Sequence, residues 1–309
     1  MSERTEAAIP GCQAYNPDPG KPRLAIPPGS CDCHAHIFGP QDRYPYTPNR
    51  SYTPPEASVE AYQRMLAALG FERAVIVQPS VYGIDNRCTR DAIVGSGGKW
   101  RGVAVVEPCV TNSQLADLHA AGFRAVRINL LFKGGLQLDA LEQIARAIRP
   151  LDWHVQLLLD GRDLPELADR LQSLPVNFVV DHMGHMPASV GTGHAGFQTL
   201  LQLLRGGRCW VKLSGAYRIS AKLQPYDDAV PFARALADAA PDKLVFGTDW
   251  PHPSITVPMP QDASLLDLLP TWVPDEATRR QILVENPARL YDFPAVARPE
   301  TQSVHSVPS

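Results

Sequence analysis

Cys31-Asp32-Cys33-His34-Ala35-His36-Ile37-Phe38-Gly39-Pro40 reads as a strand that runs into a turn. Side chains alternate faces along a strand, so Asp32, His34 and His36 are expected on one face and Cys31, Cys33, Ala35 and Ile37 on the other. The second face is apolar and suits packing. The first sets two imidazoles beside a carboxylate. Such a pair can bind a metal, polarise a carbonyl, or act as hydrogen-bonded structural histidines. What raises it above an isolated His-x-His is a second polar segment far downstream, Phe246-Gly247-Thr248-Asp249-Trp250-Pro251-His252-Pro253.

Between these segments the chain alternates two kinds of run. Short stretches rich in Val, Ile and Leu fall at 74–77, 102–106, 125–130, 153–159, 177–181, 209–213 and 243–247, after the first strand at 31–37. Helical patterns separate them at 58–69, 85–94, 113–121, 138–148, 164–171, 197–204 and 229–239, with a closing helix at 278–290. Apolar runs of this kind suit strands buried on both faces, and strict alternation with helices implies a parallel sheet. Eight such units predict an α/β protein with a (β/α)8 TIM barrel as its single domain. A doubly wound open sheet is the alternative, but no Gly-rich phosphate turn follows any strand. The barrel is expected over 29–293, after an extended arm at 1–28 and before a disordered tail at 294–309. The long loop from Gly39 to Pro55, with Tyr44, Tyr46 and Tyr52, is a candidate pocket wall or a rigid surface loop.

Composition narrows the class. The 309 residues are 44% hydrophobic, enough for a full core. A net charge of −3, from 29 basic and 32 acidic residues, gives no general attraction to nucleic acid or to an acidic membrane. Local basic groups can still bind a small anion. Six cysteines, at 12, 31, 33, 88, 109 and 209, show neither a Cys-x-x-Cys nor a zinc-finger spacing. A reduced, cytoplasmic protein is the simpler reading. The polar, proline-rich N-terminus lacks the apolar core of a signal peptide, and no run approaches the length of a membrane helix.

Barrel enzymes place their chemistry at the C-terminal ends of the strands. Under that rule strand one contributes His34 and His36, and strand two Gln78 and Ser80. Strand four contributes Arg127, Asn129 and, a little later, Lys133. Strand six contributes Asp181, His182 and His185, strand seven Lys212, Ser214 and Arg218, and strand eight Thr248, Asp249 and His252. A packed barrel does not need several histidines and an aspartate at one rim, so their convergence points to a site.

His-x-His after strand one, His after strand six and Asp after strand eight resemble the amidohydrolase superfamily. The segments His34–Pro40, Val77–Ser80, Arg127–Asn129, Asp181–Gly184 and Gly247–Pro253 together resemble the 2-pyrone-4,6-dicarboxylate lactonase family, over about residues 20 to 293. That resemblance implies hydrolysis of a carboxylated lactone, a small anionic substrate of aromatic-compound catabolism. Asp249 then acts as general base and later acid, while His34, His36 and His182 polarise the carbonyl. It also implies substrate-binding roles for Ser80, Arg127, Arg218 and Tyr52. Three positions depart from the family pattern: Lys133 and His185 stand where arginines are expected, and Leu158 where a tyrosine is expected. Lysine keeps the charge but loses the bidentate geometry, so a related muconolactone-type substrate is as compatible as the pyrone itself. A lactone isomerase and a zinc-dependent hydrolase or decarboxylase remain alternatives on the same barrel.

Metal-dependent members of the superfamily add a lysine on strand four and a histidine on strand five. Here strand five ends in Gln156-Leu157-Leu158-Leu159-Asp160, and His154 sits at its start, the wrong end of the barrel. The expectation is that no metal is required. The alternative is one Zn held by His34, His36, His182 and Asp249.

Overall fold

The computed structural model describes residues 9–132 and 138–295. Its strands are β1 (Cys31–Ala35), β2 (Arg73–Val77), β3 (Trp100–Ala104), β4 (Phe123–Asn129), β5 (His154–Leu158), β6 (Phe178–Val180), β7 (Cys209–Leu213) and β8 (Leu244–Phe246). Each pairs in parallel with the next, in the order β1 to β8. The two ends of the sheet meet through Asp249 N–H donating to the His34 carbonyl and His36 N–H donating to the Trp250 carbonyl, both at 2.8 Å. The chain therefore forms the expected (β/α)8 barrel.

The helices are specified locally. In α1 (Val59–Leu69) the Ser58 side chain caps the first turn by accepting from Ala61 N–H. Tyr62, Met65, Leu66 and Leu69 bury at helical spacing, and Gly70 ends the helix in the left-handed conformation. The helix before β4 opens on a capping box between Thr111 and Gln114. The closing segment, expected as one helix over 278–290, is Glu276–Arg280, a π-helical turn at Gln281–Glu285, and Asn286–Tyr291.

Two apolar layers share the strands. Cys31, Cys33, Val75, Val77, Val103, Ala125, Val179, Trp210 and Val245 cluster with Leu290, Tyr291 and Phe293. This is the barrel's interior floor, plugged by the closing segment. Ala35, Ile76, Val126, Val155 and Val180 belong to the larger layer between the strands and the helices.

The face assignment along β1 needs correction. Asp32 does not share a face with His34 and His36. It turns toward α1, where the Tyr62 hydroxyl donates to it at 2.9 Å, while Cys31 and Cys33 take the interior. The register between β1 and β2 breaks between Asp32 and Ala35, and this irregularity resets the alternation before His34. Asp32 instead ties the barrel shut. It accepts from Thr248 N–H at 2.8 Å, from the Thr248 hydroxyl at 2.6 Å and from His34 N–H at 3.2 Å.

Residues 9–30 lie along the barrel: Cys12 N–H donates to the Thr53 carbonyl, and Arg23 pairs with Asp267. The tail expected to be disordered lies, beyond 295, outside the described residues. No described helix is long and apolar enough to cross a membrane.

Candidate active site

At the C-terminal rim a narrow pocket is lined by His36, Tyr52, Ser80, Arg127, Asn129, Phe132, Leu158, His182, His185, Arg218, Asp249 and Pro253. His34 lies fully buried beside it, with Nε2 at 3.8 Å from Asp249 Oδ1. The rim thus brings together some of the residues expected from strands one, two, four, six, seven and eight, whereas Gln78 turns its amide to the Gly83 and Asp85 carbonyls and Thr248 is tied to Asp32. Tyr52 comes from the long loop, which is therefore a pocket wall. Lys133 lies outside the described residues.

Asp249 is the centre of the arrangement. Its Oδ2 accepts from Arg218 Nε and from the Tyr217 hydroxyl, each at 2.5 Å. Its Oδ1 is buried with no hydrogen-bond partner. Facing that oxygen are three imidazole nitrogens: Nε2 of His34 at 3.8 Å, of His182 at 3.9 Å and of His36 at 4.0 Å. Burial pushes the Asp249 carboxyl up, but the Arg218 guanidinium together with the three imidazoles outweighs it and holds the group well below the usual carboxylate range. At neutral pH it is a carboxylate with one lone-pair-bearing oxygen exposed to whatever enters the cavity.

The imidazoles are neutral. Burial, reinforced by the Lys212 ammonium, lowers His34 to about 4. Burial also drives His36 and His182 well below their ordinary value. The outer nitrogen of each ring is held: His36 Nδ1 lies 2.7 Å from the Val77 carbonyl, and His182 Nδ1 lies 2.9 Å from the Ser214 hydroxyl.

Beneath the histidines is a buried polar layer. Asp181 meets Lys212, Arg127 and the amide of Gln156. The cations Lys212, Arg127 and Arg218 face two carboxylates, Asp181 and Asp249, which leaves one positive charge in excess. An anionic ligand would balance it.

Close backbone approach explains two glycines. A Cβ on Gly247 would fall 2.6 Å from His34 Cβ, and one on Gly215 would fall 2.9 Å from His182 Nδ1, at a φ of +64°. Non-glycine residues in the left-handed region gather here as well: His182, Met183, His185, Asp249, His252 and Ser254. Each costs on the order of 1 kcal/mol, and such strain concentrates at functional sites.

Tyr217 is the functional neighbour that sequence reading passed over. It sits on the short helix Ala216–Ile219 after β7 and reaches both Asp249 and His252, whose Nε2 in turn meets Asp262 at 3.0 Å. Its one sequence signal is adjacency to Arg218.

The same side chains include metal-ligating types. Among the described residues two groups are compact enough to share an ion, one of His34, His36 and Asp249 and one of His34, Asp181 and His182. Neither holds the four expected ligands together. A dication would also raise an already positive buried site by two charges. His34, His36 and Asp249 could hold one ion with its fourth position open, while His182 stands outside that group.

Chemistry in a (β/α)8 barrel is done at this rim, and what converges here places the protein among the barrel enzymes. The class can be narrowed: residues 31–293 match the model of the amidohydrolase family, and the chain belongs to that family. A 2-pyrone-4,6-dicarboxylate hydrolase of Comamonas testosteroni is 39% identical over 293 residues, covering 91% of this chain and 96% of its own. A 4-sulfomuconolactone hydrolase of Hydrogenophaga intermedia is 38% identical over 296 residues, covering 94% and 98%. A D-galactarolactone isomerase of Agrobacterium fabrum is 34% identical, covering 89% and 95%. The crystal structure of a probable 2-pyrone-4,6-dicarboxylic acid hydrolase of Acinetobacter baumannii, with citric acid bound, superposes with a TM-score of 0.77 at 29% identity, covering 86% and 100%.

Proposed function

We propose that the protein hydrolyses the ring ester of a small carboxylated lactone. The observation that carries this is the divided Asp249 carboxylate: one oxygen clamped by Arg218 and Tyr217, the other free and facing three neutral imidazoles at the cavity. The free oxygen takes a proton from water as the water attacks the lactone carbonyl. Imidazole N–H groups stabilise the oxyanion that forms. As the ring opens, the proton on Asp249 passes to the departing ring oxygen. Arg127 and Arg218, with Tyr52, Ser80 and His185 beside them, hold the substrate carboxylates; Lys133 is assigned to the same shell.

The hydrolase relatives and the citrate-bound structure of a related protein support a ligand with two or three acidic groups, carboxylate or sulfonate. Leu158 and Phe132 make one wall apolar, which favours a muconolactone-type ring as much as the pyrone. The metal-free reading belongs to this proposal, as does a reducing, cytoplasmic setting, consistent with six free cysteines.

The test is a screen of 2-pyrone-4,6-dicarboxylate and muconolactone-type lactones by loss of ring absorbance, with and without chelator. Turnover that survives chelation is expected; turnover that requires stoichiometric zinc would overturn the metal-free reading. The isomerase relative justifies a second reading. Labelled water separates the two, because hydrolysis places the label in the product and isomerisation yields an unlabelled lactone.

A further inference from the structure

The three histidines facing Asp249 are alike in distance but not in hydrogen bonding. Lys212, on β7, is fully buried between the floor and the mouth. Its Nζ contacts three acceptors: the Cys33 carbonyl at 2.8 Å, Gln156 Oε1 at 2.7 Å and His34 Nδ1 at 3.2 Å. An ammonium has three hydrogens and no lone pair, so His34 Nδ1 must accept from it. A neutral imidazole has one N–H, which therefore sits on Nε2. Asp181 Oδ1 lies 3.3 Å from the same Nδ1, where it competes for a hydrogen, and 3.6 Å from Nζ, beyond hydrogen-bond reach, so Nδ1 is the acceptor left for the third ammonium hydrogen. His34 Nε2 is buried, lacks a partner, and is turned to Asp249.

His36 is the opposite case. Its Nδ1 is 2.7 Å from the Val77 carbonyl, which only accepts. Its hydrogen is therefore on Nδ1, and Nε2 presents a lone pair to the cavity.

The geometry points to Lys212 as a positioning residue that fixes His34 in the Nε2–H form, making it a donor to the substrate carbonyl. His36 cannot share that role and instead accepts a hydrogen bond from the O–H that the attacking water keeps while its other proton goes to Asp249. The catalytic half of this assignment rests on the lactone-opening reading; the tautomers do not.

The test is nitrogen NMR on protein labelled with 15N in its histidine rings. In the unaltered protein His34 is expected to carry its proton on Nε2 and His36 on Nδ1. A His34 protonated on Nδ1 overturns the proposal outright, and that measurement needs no variant to fold. In Lys212→Met, Asp181 Oδ1 becomes the partner of His34 Nδ1 and the tautomer flips. Asp181→Asn keeps Lys212 and so keeps the Nε2–H form. With a turned-over lactone, Lys212→Met is expected to lower kcat roughly tenfold to a hundredfold, short of the loss of a whole oxyanion donor, with KM within about threefold. Unchanged His34 nitrogen signals in Lys212→Met also overturn the proposal. The expected tautomers in a protein inactive on every lactone would leave the positioning role standing and overturn the lactone reading alone.

Discussion

Along β1, Cys33 packs into the floor of the barrel, and His34, the next residue, faces its mouth. The floor gathers Val75, Val77, Val103, Val179 and Trp210 under a plug of Leu290, Tyr291 and Phe293. The mouth, a few ångströms along the same strands, gathers His36, Arg127, His182, Arg218 and Asp249 around empty space. Apolar contacts at the floor stabilise the fold; at the mouth, burial of charges and left-handed backbone cost stability. Separating the two lets one end tolerate what the other compensates.

The sharpest way to break this division is at Asp249. Asp249→Asn keeps the shape, removes the base, and is expected to cut kcat on the order of a thousandfold. Substrate binding by calorimetry should persist, and Tm should fall because Arg218 loses its buried ion pair. A variant with near-full turnover refutes the assigned base. The converse is Trp210→Ala in the floor. It is expected to cost about 3–5 kcal/mol in urea unfolding, while kcat of the protein that remains folded stays within about twofold. A large kcat loss there would show that floor and mouth are coupled.

Between these extremes lies Arg127→Met, which removes one cation facing the cavity. KM is expected to rise roughly tenfold to a hundredfold, the worth of a charged hydrogen bond, with kcat changed less. The smallest effect is on pH. Burial lowers His34 to about 4 and His154, at the floor end of β5, to about 3. As pH falls below about 6.5 the unfolded chain protonates these histidines before the folded protein does, so their contribution to stability is lost on acidification. Asp32 opposes them: burial raises it to about 6, so the folded protein takes up its proton first as pH falls. Two groups outweigh one, and the urea midpoint is expected to be lower at pH 4.5 than at pH 7. The reverse order would mean that Asp32 dominates.

The fold was legible because each strand of a (β/α)8 barrel announces itself twice, by its apolar run and by the helix that follows. The mouth was legible because Asp249, His182 and Arg218 each follow a strand directly. What stayed hidden depends on register and reach. The irregularity between Asp32 and Ala35 moved Asp32 off the histidine face, and no residue type in that stretch signals it. Tyr217 and Gln156 look like ordinary residues of a short helix and a core strand. Their roles appear only when Tyr217 meets Asp249 across 32 positions and Gln156 meets Lys212 across 56.

Asp32 accepts from Thr248 across 216 positions, and the same seam joins the His34 carbonyl to Asp249 N–H. At roughly 5–20 residues per second of synthesis, Asp32 waits on the order of ten to forty seconds for its partner to leave the ribosome. Until then the first strand has no edge to close against and Asp249 has not been made. The last seam of the barrel and the first moment of its chemistry are one event, so nascent chains released before residue 249 are expected to be inert however much of the barrel they have built.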